Sequence, residues 1–162
     1  METNRHLLID GYNVLHQWPE GKKLLQRGQS AAARNYLAET VRVIHDCEQW
    51  RVTMVFDGQG ERVEVERPYV DLTLSFVFAP RGLSADAVIE QLVAASVKPG
   101  EIVVVTLDAA ERETLQVAGA NVLTPEDLRQ WVEQAGRRLS TNLTDRGREV
   151  ESAWRRGGKK RR

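Results

Sequence analysis

Four aspartates stand where an apolar run ends or a helix begins: Asp10 in HLLIDGYN, Asp57 in VTMVFDGQG, Asp86 in GLSADAVIE and Asp108 in VVVTLDAAER. In a parallel sheet, side chains just past the strand ends converge on one rim, where open α/β folds bind ligands. Carboxylates gathered there repel one another unless a cation joins them. A hard divalent ion, Mg²⁺ or Mn²⁺, prefers such oxygen ligands. It can hold a phosphate, lower the pKa of a bound water and stabilise a leaving oxygen. The pattern points to metal-dependent chemistry on phosphate esters.

Asp10 and Asp108 are the leading direct ligands, followed by Asp86; Asp57 is either a ligand or a water-mediated contact. Asn13, three residues after Asp10, either positions a water or phosphate through its amide or forms an Asx-turn. Each aspartate also has a purely structural reading. Asp10-Gly11 and Asp57-Gly58 suit turns, and Asp86 suits the positive end of a helix dipole. Asp108 suits an N-cap, with Glu111 completing a capping box. Turn and helix signals do not, however, require an acid at all four places at once. Glu90, one turn beyond Asp86, reads as solvated helix surface.

Other chemistries find less support. His6, His16 and His45 lack zinc-ligand spacing. Neither G-x-G-x-x-G nor G-x-x-x-x-G-K-[ST] occurs. An aspartyl-nucleophile phosphatase needs a second Asp two residues after Asp10, where Tyr12 stands, and Ser75, Ser84 and Ser140 lie in no nucleophile elbow.

The elements that must position these residues alternate. Residues 6–9, 51–56, 71–78, 101–106 and 121–123 read as strands, with 59–70 a polar loop. Helices are expected from about Ser30 to Trp50, from Ser84 to Ser96, from Ala109 to Val117 and onward from Thr124-Pro125. This βαβ order predicts a mostly parallel sheet with helices on both faces. Beyond Arg138 core-forming content is low, although Thr144 to Arg156 has the pattern of a short amphipathic helix.

A chain of 162 residues suits one domain. Its one cysteine, Cys47, excludes an internal disulfide and fits a reducing compartment. No secretion signal or membrane-length apolar run is visible, so a soluble cytoplasmic protein is expected. The zero net charge conceals an asymmetry: residues 137–162 carry ten Lys/Arg against three acids, whereas residues 1–136 carry 13 basic and 20 acidic residues. A basic tail on an acidic body suits a polyanionic partner or serves solubility alone. Trp154, beside Arg155 and Arg156, could also stack on a base.

Taken in order, LLIDGYNVLH, MVFDGQG, SADAVIEQLV and VVVTLDAAER resemble the YacP-like NYN-domain proteins of the PIN-like nuclease superfamily, over about Leu7 to Trp131. The resemblance implies a PIN-like three-layer α/β/α sandwich and an acidic Mg²⁺/Mn²⁺ pocket. It implies that Asp10, Asp86 and Asp108 hold the metal, with Asp57 and Asn13 assisting. It further implies endonucleolytic cleavage of RNA by metal-activated water, with mRNA on the ribosome as one setting. One departure is Leu107, where the family usually has a small hydroxyl residue before the last acid.

Residues 1–138 are then expected to form the nuclease domain and 139–162 a basic tail, partly helical or disordered. Arg81, Arg155, Arg156, Lys159 and Lys160 are candidate RNA contacts. The rival readings are a noncatalytic RNA- or ribosome-binding module on the same fold, and a phosphatase or nuclease acting on DNA or small phosphates.

Overall fold

The structure, a computed structural model, describes residues 4–159, with side chains through residue 156. Strands β1 (His6–Asp10), β2 (Arg51–Phe56), β3 (Glu64–Glu66), β4 (Leu74–Phe78), β5 (Ile102–Val105) and β6 (Asn121–Leu123) form one sheet in the order β3-β4-β2-β1-β5-β6. All pairs are parallel except β3 with β4. The helices are α1 (Gly11–Gln17), α2 (Pro19–Gln26), α3 (Ser30–Glu48), α4 (Ala85–Ala94), α5 (Ala109–Val117) and α6 (Pro125–Lys159), with a 3₁₀ turn at Pro99–Glu101 before β5. The expected mostly parallel α/β/α sandwich is what forms.

Successive strand residues point to opposite faces, and here both faces are apolar. Leu7, Ile9, Val52, Met54, Phe56, Leu74 and Phe76 pack against Ala33, Leu37, Val41 and Ile44 of α3 and against Leu128 and Ala135 of α6. On the other face, Leu8, Val55, Ile102 and Val104 meet Val88, Ile89 and Val93 of α4 and Leu115 of α5. This alternation decides where Asp10 points. It shares the parity of Leu8, so its carboxylate lies on the α4/α5 side.

Several local elements depart from the sequence expectation. Residues 11–26 form α1 and α2, which a strand-and-helix periodicity did not mark. Trp18 joins them, its backbone extended and its indole donating to Pro125 O at 3.1 Å. Strand β3 lies inside the expected loop; its three residues, Glu64, Val65 and Glu66, are exposed. Charged residues on a short edge strand discourage pairing with other chains. Strand β4 begins at Leu74, three residues later than expected, because Asp71, Leu72 and Thr73 are exposed.

Helix α6 is the largest difference. It runs 35 residues without interruption across the expected boundary at residue 138. Its first part is anchored on α3: Trp131 Nε1 donates to Glu48 Oε2 at 2.6 Å, and Arg138 pairs with the same carboxylate. Residues 139–156 are all exposed. No helix among the described residues is long and apolar enough to cross a membrane.

Candidate metal centre

The rim at the carboxyl ends of β1, β2, β4 and β5 is assembled by short turns. Asp10 ends β1, and α1 starts at once with Gly11. A Cβ on Gly11 would overlap the Phe56 ring, so only glycine lets the first turn of α1 close against β2. Asp86 is the second residue of α4, whose N-terminus is capped twice: Ser84 Oγ accepts from Ala87 N at 3.2 Å, and Asp57 Oδ1 accepts from Ala85 N at 2.9 Å. Glu111 lies in the first turn of α5, where Asp108 Oδ1 accepts from Glu111 N at 3.1 Å.

Carboxylate oxygens of Asp10, Asp86 and Glu111 all lie within 4.8 Å of one another. Asp10 and Glu111 are buried and Asp86 is half-buried. Burial raises the Asp10 pKa first; the adjoining Asp86 carboxyl and the Glu111 charge raise it further, against the opposing pull of a hydrogen bond from the Asn13 backbone. Burial also raises Glu111 most. The Thr106 hydroxyl works against that, and the Asp86 and Asp108 charges add to it. Three crowded carboxylates in a desolvated niche favour either shared protons or a cation.

The niche suits a divalent ion on one further count. Thr106 Oγ1 donates to Glu111 Oε2 at 2.9 Å, while the buried Oε1 has no hydrogen-bond partner. An orphaned, buried carboxylate oxygen beside two further carboxylates is an all-oxygen donor set of the kind Mg²⁺ and Mn²⁺ accept.

The remaining expected residues sit around this group rather than in it. Asp108 is exposed and serves as the N-cap of α5, its own N–H donating to Thr106 Oγ1 at 3.2 Å. Asp57 is exposed and caps α4. Asn13 Oδ1 accepts from Leu107 N at 3.0 Å, which ties the turn after β1 to the turn after β5. Arg81, exposed on the turn between β4 and α4, donates its backbone N–H to Gly60 O at 2.8 Å. Arg155 and Arg156 are exposed on α6, the former paired with Glu151; the Lys159 side chain and Lys160 lie outside the described residues.

Glu111 as a carboxylate of the group is what the sequence reading missed. The capping-box pattern was visible and half of it forms. The Glu111 side chain turns to Thr106 instead of to the Asp108 N–H, so Thr106 with Glu111 five residues on was the available signal.

A second grouping, His45, Asp46 and Asp71, is more exposed. Both His45 nitrogens already have partners there, Asp46 Oδ1 and Thr73 Oγ1, each at 2.7 Å.

The YacP-like NYN domain family matches residues 7–158. The chain belongs to that family. The match continues past Trp131, where the resemblance in motifs stops, into the exposed half of α6. Among solved structures, Rae1 (YacP) from Bacillus subtilis is similar at 26% identity and a TM-score of 0.71, covering 91% of this chain and 84% of that one. A point mutant of the same protein gives 26% identity and a TM-score of 0.72 over 90% and 86% of the two chains. No curated protein gives a significant match. The YacP-like fold is PIN-like and nuclease-type, and in this chain Asp10, Asp86 and Glu111 converge at its strand-end rim.

Proposed function

We propose that this YacP-like NYN protein is a divalent-metal-dependent endoribonuclease of the cytoplasm, cutting RNA with mRNA on the ribosome as a candidate substrate. The observation that carries the reading is the convergence of Asp10, Asp86 and Glu111 within 4.8 Å on the strand-end rim of a nuclease-type fold.

In this reading Asp10, Asp86 and Glu111 hold Mg²⁺ or Mn²⁺. Asp108 adds negative charge beside them and fixes the start of α5. When bound, the ion supplies an activated water and charge stabilisation at the leaving oxygen. The protein's own part is placement. Asp57 and Ser84 fix the end of α4 that carries Asp86, and Asn13 locks the two turns flanking the site. Thr106 holds one Glu111 oxygen and leaves the other without a hydrogen-bond partner, available to an ion. Arg81 and the arginines of α6 would meet phosphates away from the reacting centre and make binding salt-dependent.

The test is cleavage of end-labelled RNA, free and on translating ribosomes, in Mg²⁺, Mn²⁺ or EDTA, by wild type and Asp10→Asn. Metal-dependent cutting lost in the variant supports the reading. Binding without cutting in every condition replaces it with a noncatalytic RNA-binding module.

A further inference from the structure

At the same strand-end rim, on the α3 side of the sheet rather than the α4/α5 side that carries the carboxylates, lies a cation held by aromatic rings. Arg34 of α3 is half-buried, its Cζ 5.2 Å from the Phe78 ring centroid and 6.0 Å from that of Phe56. Its Nη1 donates to the Tyr12 hydroxyl at 3.1 Å. Tyr12 follows Asp10 by two residues and packs edge-on against Phe56 at 4.8 Å between centroids. Phe56 and Phe78 are the last residues of β2 and β4 and stack at 5.8 Å. The guanidinium is thus built into the rim that carries the metal site.

What sets Arg34 apart is its charge balance. Arg42 over Tyr69 also pairs with Asp46, and Arg129 over Trp18 with Glu20. Arg34 reaches no carboxylate among the described residues, though the body around it is acidic. Ring faces offset part of the cost of a partly desolvated cation. One hydrogen bond leaves most of its five donors free, in a fork that matches phosphate oxygens.

We propose that Arg34, pre-oriented by Tyr12, Phe56 and Phe78, binds a phosphodiester flanking the scissile one and so sets the path of the RNA strand across the rim. This rests on the endoribonuclease reading for the identity of the strand. It predicts that Arg34 contributes to substrate binding and leaves metal binding alone.

The test is binding of a fluorescein-labelled single-stranded RNA in Ca²⁺ over a range of KCl concentrations, with RNA cleavage kinetics in Mn²⁺ alongside. Arg34→Gln is expected to weaken binding and to flatten the slope of log K against log salt by about 0.7 for each phosphate no longer neutralised. KM should rise several-fold with kcat little changed, and Mn²⁺ affinity should match wild type. Arg34→Lys should keep the salt slope while binding more weakly.

Unchanged RNA affinity and slope in Arg34→Gln overturns the proposal, as does failure of the wild type to bind RNA. RNA binding that depends on Arg34, with no cleavage in any metal, keeps Arg34 as a phosphate contact but sinks the nuclease reading and overturns its placement beside a scissile bond. Should Arg34→Gln fail to fold by circular dichroism, Tyr12→Phe decides. It frees the guanidinium from its side-chain hydrogen bond and should weaken RNA binding; unchanged binding overturns the proposal.

Discussion

The Thr106 hydroxyl donates to Glu111 Oε2 at 2.9 Å, with both residues buried, and this bond orients the carboxylate that joins Asp10 and Asp86. Thr106→Val keeps the shape and removes the donor. It is expected to cost about 1–2 kcal/mol of stability and about 10–100-fold in Mn²⁺ affinity, as for other residues that orient metal ligands. Thermal melts with and without Mn²⁺ check both. Thr106→Ser should retain most of each.

Asp57 offers a way to separate helix capping from metal binding. Its carboxylate accepts from Ala85 N at the start of α4, one residue before Asp86. Asp57→Asn can keep that bond and is expected to keep most activity. Asp57→Ala should lose about 1 kcal/mol together with much of the cleavage rate, because the end of α4 carrying Asp86 loosens. Equal and severe losses in both variants would make Asp57 a ligand in its own right.

At the opposite end of β1, His6 reports on acid stability. Its Nε2 lies 2.8 Å from Thr53 Oγ1. Burial, then the nearby Arg51 charge, lowers its pKa from 6.5 to about 4. Between those values the unfolded chain takes up a proton that the folded chain refuses, so stability falls as pH drops from about 6.5 toward about 4. Near pH 5 the loss should approach about 2 kcal/mol. Urea denaturation of wild type and His6→Gln near pH 7 and pH 5 should show that part of the acid sensitivity only in wild type.

The exposed half of α6 should be dispensable for folding. Ala135 is the last buried apolar residue of the helix, and residues 139–156 are exposed throughout. Truncation after Arg138 retains the Arg138–Glu48 pair. It is expected to leave the melting temperature of the body nearly unchanged while weakening RNA binding and reducing its salt dependence. A large loss of stability would show that the helix is integral to the domain.

Much of the fold was legible because the apolar runs at 7–9, 52–56 and 102–105 are covered on both faces. A continuous hydrophobic signal survives there without any register information. Asp10 and Asp86 were legible for the same reason, being tied to a strand end and to a helix start marked by Ser84. Helices α1 and α2 were not. Their cohesion comes from Trp18 and Leu15 packing into the core, a tertiary effect that short segments do not announce. The amphipathic pattern over Thr144 to Arg156 was legible, but its continuity with the helix from Pro125 was not, because residues 139–156 bury nothing that would tie the two together. Glu111 was assigned to a cap because sequence spacing fixes the start of a helix but not where a glutamate's flexible side chain turns.

Whether Glu111 belongs to the metal site is most directly tested by calorimetric titration of Mn²⁺ into wild type, Glu111→Gln and Asp108→Asn. An asparagine side chain can still cap α5, so near-normal binding is expected of Asp108→Asn, strong binding of wild type and almost none of Glu111→Gln. Wild-type affinity in Glu111→Gln would exclude Glu111 from the metal site.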